Sequence, residues 1–115
     1  MINKKVGDAG EDLACRYLEK QGYKIIERNK HYSRFCEIDI IAQYKSTTVF
    51  VEVKTRKTNA FGVPQEAITK TKFANIRKGV QFYLAENSVK NFRIDAICIT
   101  LKPELKIEHL KNINI

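Results

Sequence analysis

The stretch EIDIIAQYKSTTVFVEVK, residues 37–54, decides the fold because it reads as two apolar strands joined by a short polar turn. Successive side chains of a strand point to opposite faces of the sheet. Asp39 therefore shares a face with Glu37, and Glu52 shares a face with Lys54. The charged residues of each strand gather on a single face, although most of their neighbours are apolar.

A two-residue turn at positions 45–46 closes a hairpin in which Asp39 lies opposite Glu52. Cross-strand neighbours have Cβ atoms about 5 Å apart. The turn lacks the Gly or Asn that such short turns favour, so a longer loop or a bulge is the alternative. A register shift by two residues would still leave both acids on one shared face.

Two carboxylates at this distance repel each other, so a proton, a basic side chain or a divalent cation must stabilise them. Oxygen ligands suit Mg²⁺ or Mn²⁺, and no Cys/His cluster indicates zinc. A metal at Asp39 and Glu52 would let the site accept a phosphate and would activate a bound water. Lys54 could orient that water, which makes phosphodiester hydrolysis the favoured chemistry. A structural ion-pair network of these three residues is the alternative.

The charge balance favours an anionic partner, and nucleic acid is the commonest large one. The chain has 21 Lys and Arg against 13 Asp and Glu, a formal net charge of +8. Basic groups lie before the second strand, after the third strand and at the start of the second helix, where a plain solvated face is the alternative. The residues we expect to contact nucleic acid are Arg34, Arg56, Lys57, Gln65, Lys70 and Lys72.

The 115 residues have ordinary globular composition and no repeats or linkers, which predicts a single domain over residues 1–115. No apolar run approaches 18 residues, and the first residues lack the apolar segment of a signal peptide. We therefore expect a cytoplasmic protein with no membrane partner.

Hydrophobic spacing and breakers predict an α/β fold with a mixed sheet of about four or five strands flanked by helices. Glu11 falls on the border of the first helix's apolar stripe, so its side chain should follow the seam between helix and sheet; a solvated helix residue is the alternative. Gly22 is placed to end that helix. The predicted helices cover residues 7–21 and 69–86, and the predicted strands cover 23–28, 37–44, 47–56, 91–101 and an edge strand at 106–115.

The constellation of Glu11, Asp39 and Glu52-Val53-Lys54 resembles the D-x(n)-E-x-K signature of restriction-endonuclease-like nucleases. The core of that superfamily has the order α-β-β-β-α-β, which is the order predicted above. The segments GEDLACRYLEKQGYKIIERN, EIDIIA, VFVEVKTR, FGVPQEAITKTK, RIDAICI and IEHLKN also resemble the YraN family, which is related by fold to archaeal Holliday-junction resolvases. The resemblance extends from Gly7 to about Asn112.

The resemblance implies a single nuclease-like domain with a restriction-endonuclease-like core. It makes Asp39 and Glu52 metal ligands, with the Val53 carbonyl and Glu11 as further ligands and Lys54 as the catalytic lysine. The implied cofactor is Mg²⁺ or Mn²⁺, and the implied function is a metal-dependent DNA endonuclease.

The resemblance leaves several points open. Branched or structured DNA is a candidate substrate, and a homodimer is a candidate assembly. The alternative function is a non-catalytic nucleic-acid-binding or partner-docking protein of DNA repair or processing. The family usually has Gly before E-I-D where this chain has Cys36, so the local shape there can differ.

The remaining acids and histidines receive structural interpretations. Glu37 is expected to pair with a basic residue, and Asp95 is expected to form a salt bridge with Arg93, with a supporting role behind the ligands as the alternative. His31 and His109 have no partner at ligand spacing, so we expect solvated or capping roles for both.

Overall fold

The computed structural model of the chain describes residues 4–34, 36–58 and 68–114. Its elements follow the predicted order α-β-β-β-α-β, and a fifth strand comes last. They are α1 (Lys4–Lys20), β1 (Lys24–Ser33), β2 (Cys36–Tyr44), β3 (Thr47–Thr58), α2 (Lys70–Glu86), β4 (Asn91–Lys102) and β5 (Lys106–Leu110).

The five strands form one mixed sheet in the order β1-β2-β3-β4-β5. The pairs β1–β2, β2–β3 and β4–β5 are antiparallel, whereas β3 and β4 are parallel and are connected through α2. A parallel pair needs such a crossover because its strands run in the same direction. This α/β architecture is compatible with a restriction-endonuclease-like core, as expected, and β5 lies at an edge of the sheet.

The end of α1 and its contact with the sheet place Glu11. Gly22 has φ +95°, and the N–H of Tyr23 donates to the Leu18 carbonyl at 2.9 Å, which is the bonding of a Schellman cap. Near the other end, a Cβ built on Gly10 would lie 2.0 Å from Thr55 Oγ1. Glycine at this position lets α1 approach β3 closely and holds the neighbouring Glu11 against the sheet.

Two apolar cores lie on opposite faces of the sheet. Val49 and Val51 point to the α1 face and Phe50 points to the α2 face, which confirms the predicted alternation in β3. The α1 core includes Ala14, Leu18, Ile40, Ala42, Ile97 and Ile99. The α2 core includes Ile41, Ile68, Phe73, Ile76, Val80, Tyr83 and Ile94.

The central hairpin has the predicted register. Tyr44 pairs with Thr47 across a two-residue turn, and the ladder runs as far as Ile40 opposite Val51. Lys45 takes φ 54°, the positive value that short hairpin turns require at their first central residue. Asp39 and Glu52 are the next two residues outward from the last pair.

Neither described helix combines the length and the apolar character needed to cross a membrane.

Candidate active site

The site begins where the β2–β3 ladder ends. Beyond the Ile40–Val51 pair, the main-chain N–H of Val53 donates to Asp39 Oδ2 at 2.8 Å. The Asp39 side-chain oxygen therefore accepts the hydrogen bond from the Val53 N–H of β3, just beyond the end of the β2–β3 ladder. This hydrogen bond holds the Asp39 carboxyl between the two strands.

Glu52 lies beside Asp39, and its side chain is only 4% exposed. Burial and the Glu52 carboxyl raise the pKa of Asp39 from an ordinary 3.8 to about 8, although the Val53 N–H lowers it. Two carboxyls in hydrogen-bonding proximity cannot both ionise without a compensating charge. Without a metal ion the pair therefore holds a proton at neutral pH.

Lys72 of α2 supplies the positive charge that contacts this pair. Its Nζ lies 2.7 Å from Glu52 Oε1. Partial burial lowers the pKa of Lys72, but Glu52 outweighs this effect and raises it. Thr69 caps α2 by accepting a hydrogen bond from the Lys72 N–H at 3.1 Å, so the cap fixes the helical turn that carries this lysine.

A pocket of about 340 Å³ opens beside the acid pair. One wall is formed by acids of β2 and β3, and the facing wall is the first two turns of α2. Both members of the acid pair and Lys72 therefore face a space large enough for water and a phosphate group. The lining residues are Arg34, Glu37, Asp39, Glu52, Thr69, Thr71, Lys72, Asn75 and Ile76.

Glu11 lies along the seam between α1 and the sheet, as predicted. Its side chain is 14% exposed, and its Oε1 is buried without a hydrogen-bond partner, 3.6 Å from Arg28 Nη2. Burial and the nearby Asp39 raise the pKa of Glu11. Within the described ranges, no three His, Cys, Asp or Glu side chains form a group that could hold a metal ion. The ligand role of Glu11 stays a prediction.

The motif lysine, Lys54, is exposed and does not line the pocket. The ammonium that contacts the acid pair belongs instead to Lys72, which the sequence analysis placed only among the nucleic-acid contacts. A signal for it existed: Lys72 lies four residues before the buried Ile76, at the border of the apolar stripe of α2. The position of Glu11 on the border of the apolar stripe of α1 had predicted its place along the seam in the same way.

The other predicted nucleic-acid contacts are dispersed. Arg34 lines the pocket, and Lys57 and Lys70 are exposed to solvent. Arg56 Nε donates to a threonine hydroxyl of β4 at 3.0 Å, which directs its side chain along the sheet. Gln65 lies outside the described residues.

The expectations for the lone histidines are only partly correct. His31 is exposed, and its Nε2 lies 3.6 Å from a Glu37 carboxylate oxygen, so Glu37 has the expected basic neighbour when His31 is protonated. His109 is not a solvated or capping residue: its side chain is 4% exposed and its Nε2 lies 2.7 Å from Asp95 Oδ2. The expectation failed because β5 pairs with β4 and brings His109 into the α1 core. The predicted Arg93–Asp95 salt bridge is present, at 2.9 Å.

Comparison with known proteins places this fold and site in a family. Residues 10–99 match the family described as "Uncharacterised protein family UPF0102". The chain belongs to this family. The UPF0102 protein of Alkaliphilus oremlandii is 45% identical over 96% of this chain and 98% of its own length. That of Geobacter sulfurreducens is 46% identical over 96% of this chain and 88% of its own length.

The UPF0102 assignment confirms the resemblance to the YraN family. The family match includes Glu11, the pair Asp39 and Glu52, and both candidate lysines, Lys54 and Lys72. The segment EIDIIA lies in β2 and VFVEVKTR lies in β3, so the residues that carry the resemblance also build the pocket. The edge strand β5 lies beyond the matched residues.

Proposed function

We propose that this protein is a divalent-metal-dependent endonuclease that hydrolyses phosphodiester bonds in DNA at the pocket of Asp39 and Glu52. One observation carries the proposal: two carboxyls from adjacent strands, buried Glu52 and partly buried Asp39, meet beside an open pocket, and the Lys72 ammonium contacts Glu52. Burying like charges side by side costs several kcal/mol, roughly, unless a cation neutralises them. A divalent ion is the cation whose binding would also serve chemistry on phosphate.

The donor set fits Mg²⁺ or Mn²⁺. Asp39 uses Oδ2 for the Val53 N–H, and its carboxyl lies within hydrogen-bonding range of the Glu52 carboxyl, so oxygens of both residues could bind one ion in place of their shared proton. Magnesium typically binds through one or two carboxylates and completes its shell with water and substrate phosphate. The bound ion would lower the pKa of a water molecule and neutralise charge on the phosphate. The Val53 carbonyl and Glu11 remain predicted further ligands.

The residues of the chain itself position the reactants. The Val53 N–H orients Asp39, and the α2 cap orients Lys72 toward Glu52. An ammonium at this point can contact the phosphate or the attacking water. Lys54, two residues along β3, is the second candidate for this role, by resemblance.

The surroundings of the pocket suit a polyanion. The net charge of +8 attracts DNA, and phosphate contacts by Lys and Arg dominate such affinity. Arg34 lines the pocket, and the exposed Lys70 lies between Thr69 and Thr71, two of its lining residues. A phosphate backbone that enters the pocket therefore passes positive side chains.

The test is cleavage of junction, flap, linear duplex and single-stranded DNA in Mg²⁺ or Mn²⁺. Asp39→Asn and Glu52→Gln should each lower cleavage by at least about 100-fold while DNA binding is kept, because each removes a ligand charge without removing its volume. Asp12→Asn, at an exposed acid of α1, is the matched control and should cleave like the wild type. Cleavage that is absent in the wild type, or unchanged in both site variants, contradicts the proposal.

Lysine variants in the same cleavage assay show whether Lys72 or Lys54 has the catalytic role. Lys72→Met should lower cleavage more than Lys54→Met if the observed contact with Glu52 persists on the substrate complex. A larger loss of cleavage in Lys54→Met than in Lys72→Met would assign the catalytic role to Lys54, the lysine of the motif.

One observation favours a second candidate, a nucleic-acid-binding protein without turnover. A shared proton and Lys72 together can stabilise the acid pair with no metal. This candidate predicts DNA binding that needs no metal, is unchanged in Asp39→Asn and leads to no cleavage. A lack of DNA affinity at low salt would leave the partner-docking alternative.

A further inference from the structure

A pair of stacked aromatic rings lies beyond the pocket on the α2 side of the sheet. Phe82 of α2 packs on Tyr32 of β1, with ring centroids 5.3 Å apart and ring planes 21° apart. Tyr32 covers one side of the Phe82 ring, yet Phe82 remains 50% exposed. The stack therefore has room for a third planar ring. Tyr32 and Phe82 are called the aromatic step below.

The aromatic step is adjacent to the pocket. Phe82 follows the pocket residue Asn75 by seven residues, which is two helical turns or about 10 Å along the same side of α2. Between them, a Cβ built on Gly79 would lie 3.2 Å from Ile38 Cγ1 and 3.9 Å from Tyr32 Cδ2. Glycine at this position lets β1 and β2 approach α2, and it joins the aromatic step to the strand that carries Asp39.

The charges around the aromatic step suit a nucleotide and give it a direction. Lys30 Nζ lies 5.4 Å from the centroid of the Tyr32 ring, and Lys78 is exposed on the turn of α2 between Asn75 and Phe82. Glu86 and Glu27 lie near the Tyr32 hydroxyl, where they add to burial in raising its pKa. Acids repel phosphate, so a strand that stacks here should run its backbone away from these glutamates and past Lys78, on the side of α2 that leads to the pocket.

We infer that the aromatic step stacks an unpaired nucleobase, so that the substrate of the pocket carries a single-stranded or flipped-out nucleotide next to the cut phosphate. Aromatic side chains beside cationic ones are the usual means of holding single strands, because every base has a flat π face. The inference rests on the proposed function for the role of the pocket. It does not need a metal for binding itself.

A nucleobase fits the aromatic step better than a second copy of the chain. A stable protein interface buries at least about 1,200 Å² in total, far more than two rings offer. Two copies facing each other here would also bring Lys30 and Lys78 of one copy toward those of the other. A base with its phosphate complements both the rings and the lysines.

The test measures binding in EDTA, where no metal-dependent cleavage occurs. The full chain is titrated with single-stranded, gapped and blunt duplex DNA that carries a fluorescent adenine analogue at one position. We expect the wild type to quench the analogue at unpaired positions only. Phe82→Ala should weaken binding of single-stranded and gapped DNA by about 5- to 100-fold and abolish quenching, with blunt duplex binding unchanged.

Two further variants control for folding and for exposed aromatic surface. Phe82→Tyr keeps the ring and should bind and quench like the wild type. Phe92→Ala removes a phenylalanine that is 48% exposed at the start of β4, and it should change neither quantity. Wild-type affinity in Phe82→Ala, or an equal loss on blunt duplex, would overturn the inference. A shift to monomer in Phe82→Ala, measured by sedimentation, would instead assign the rings to a self-interface and overturn it too.

The outcomes separate this inference from the proposed function. If DNA cleavage depends on Asp39 but DNA binding and quenching are unchanged in Phe82→Ala, only the stacking site is contradicted. A protein that quenches the analogue through Phe82 but cleaves no substrate contradicts the nuclease alone.

Discussion

Two aspartates on opposite faces of one sheet, buried Asp95 and partly buried Asp39, have opposite electrostatic surroundings. Asp95, on the α1 face, accepts hydrogen bonds from Arg93 Nε at 2.9 Å and from the Asn112 N–H at 2.8 Å, and its Oδ2 lies 2.7 Å from His109 Nε2. Burial raises the pKa of Asp95, but the bonds with His109 and Arg93 outweigh it and lower the pKa. Asp39, on the α2 face, has one main-chain donor and a carboxyl neighbour, and its pKa rises to about 8.

The difference is the one expected between a structural acid, Asp95, and a candidate functional acid, Asp39. The Asp95 carboxylate is surrounded by hydrogen-bond partners that satisfy it, and these contacts connect β4 to β5 and to the segment after it. The Asp39 carboxyl faces the Glu52 carboxyl beside an open pocket, and the pair can ionise fully only when a further cation binds there. Strongly perturbed acids in clefts are for this reason candidates for functional sites.

The largest loss of stability is expected from a substitution at Asp95. Asp95→Asn removes the charge that Arg93 and the surrounding donors share, and it leaves a cation half-buried without its partner. We expect the free energy of unfolding to fall by about 3–5 kcal/mol, measured by urea denaturation at neutral pH. A loss below about 1 kcal/mol would show that this cluster is not what holds β4, β5 and α1 together.

Asp39 should behave in the opposite way. Its folded pKa of about 8 lies above its ordinary 3.8, so the folded state keeps a proton that the unfolded state releases above about pH 4. The free energy of unfolding should therefore fall as the pH rises from about 4 to about 8, by at most about 1.4 kcal/mol per pH unit, and then level off. Asp39→Asn should lose this slope and be the more stable protein at neutral pH.

Denaturation across that pH range, without metal, checks this prediction. Asp12→Asn is again the matched control and should keep the wild-type slope. A parallel pH profile for Asp39→Asn and the wild type would contradict the difference between the two aspartates. Asp95, with its lowered pKa, contributes stability that is lost only in acid, as the pH falls below about 4.

The smallest effect concerns Tyr17, which touches the Asp95 cluster from α1. Its hydroxyl lies 3.1 Å from His109 Nδ1. Tyr17→Phe removes one hydrogen bond and keeps the ring, so unfolding should require about 0.5–1.5 kcal/mol less free energy. Thermal and urea denaturation give this value. A larger loss would mean that His109 depends on Tyr17 for its orientation.

Local patterns predicted most of the fold. Alternation in β3 gave the face of Glu52, and Gly22 marked the end of α1. Alternation in β2 placed Asp39 with Ile41 toward α2, but it was wrong for Ile38, which packs in the α2 core and not with Ile40. The border position of Glu11 on its helix predicted its place along the seam. Each of these features depends on residues that are close in the sequence. Hydrophobic periodicity and helix-ending residues predict such local features directly.

The parts that sequence reasoning missed depend on packing between distant segments. Lys72 reaches Glu52 only because the crossover lays α2 across the sheet. His109 meets Asp95 only because β5 folds back on β4, and it meets Tyr17 across 92 positions of the chain. A lone lysine or histidine carries no periodic signal for such contacts. Its partner becomes visible only when the sheet order is known.

The most direct test of the account is the binding of Mn²⁺ to the full chain, measured by isothermal titration calorimetry in buffers of different ionisation enthalpy. Mn²⁺ should bind the wild type with release of the proton held by the acid pair, since ligand carboxyls must ionise. Asp39→Asn should not bind, and Asp95→Asn, where it stays folded, should bind like the wild type. Equal Mn²⁺ binding by Asp39→Asn and the wild type, or no binding by the wild type at millimolar Mn²⁺, would contradict the central claim.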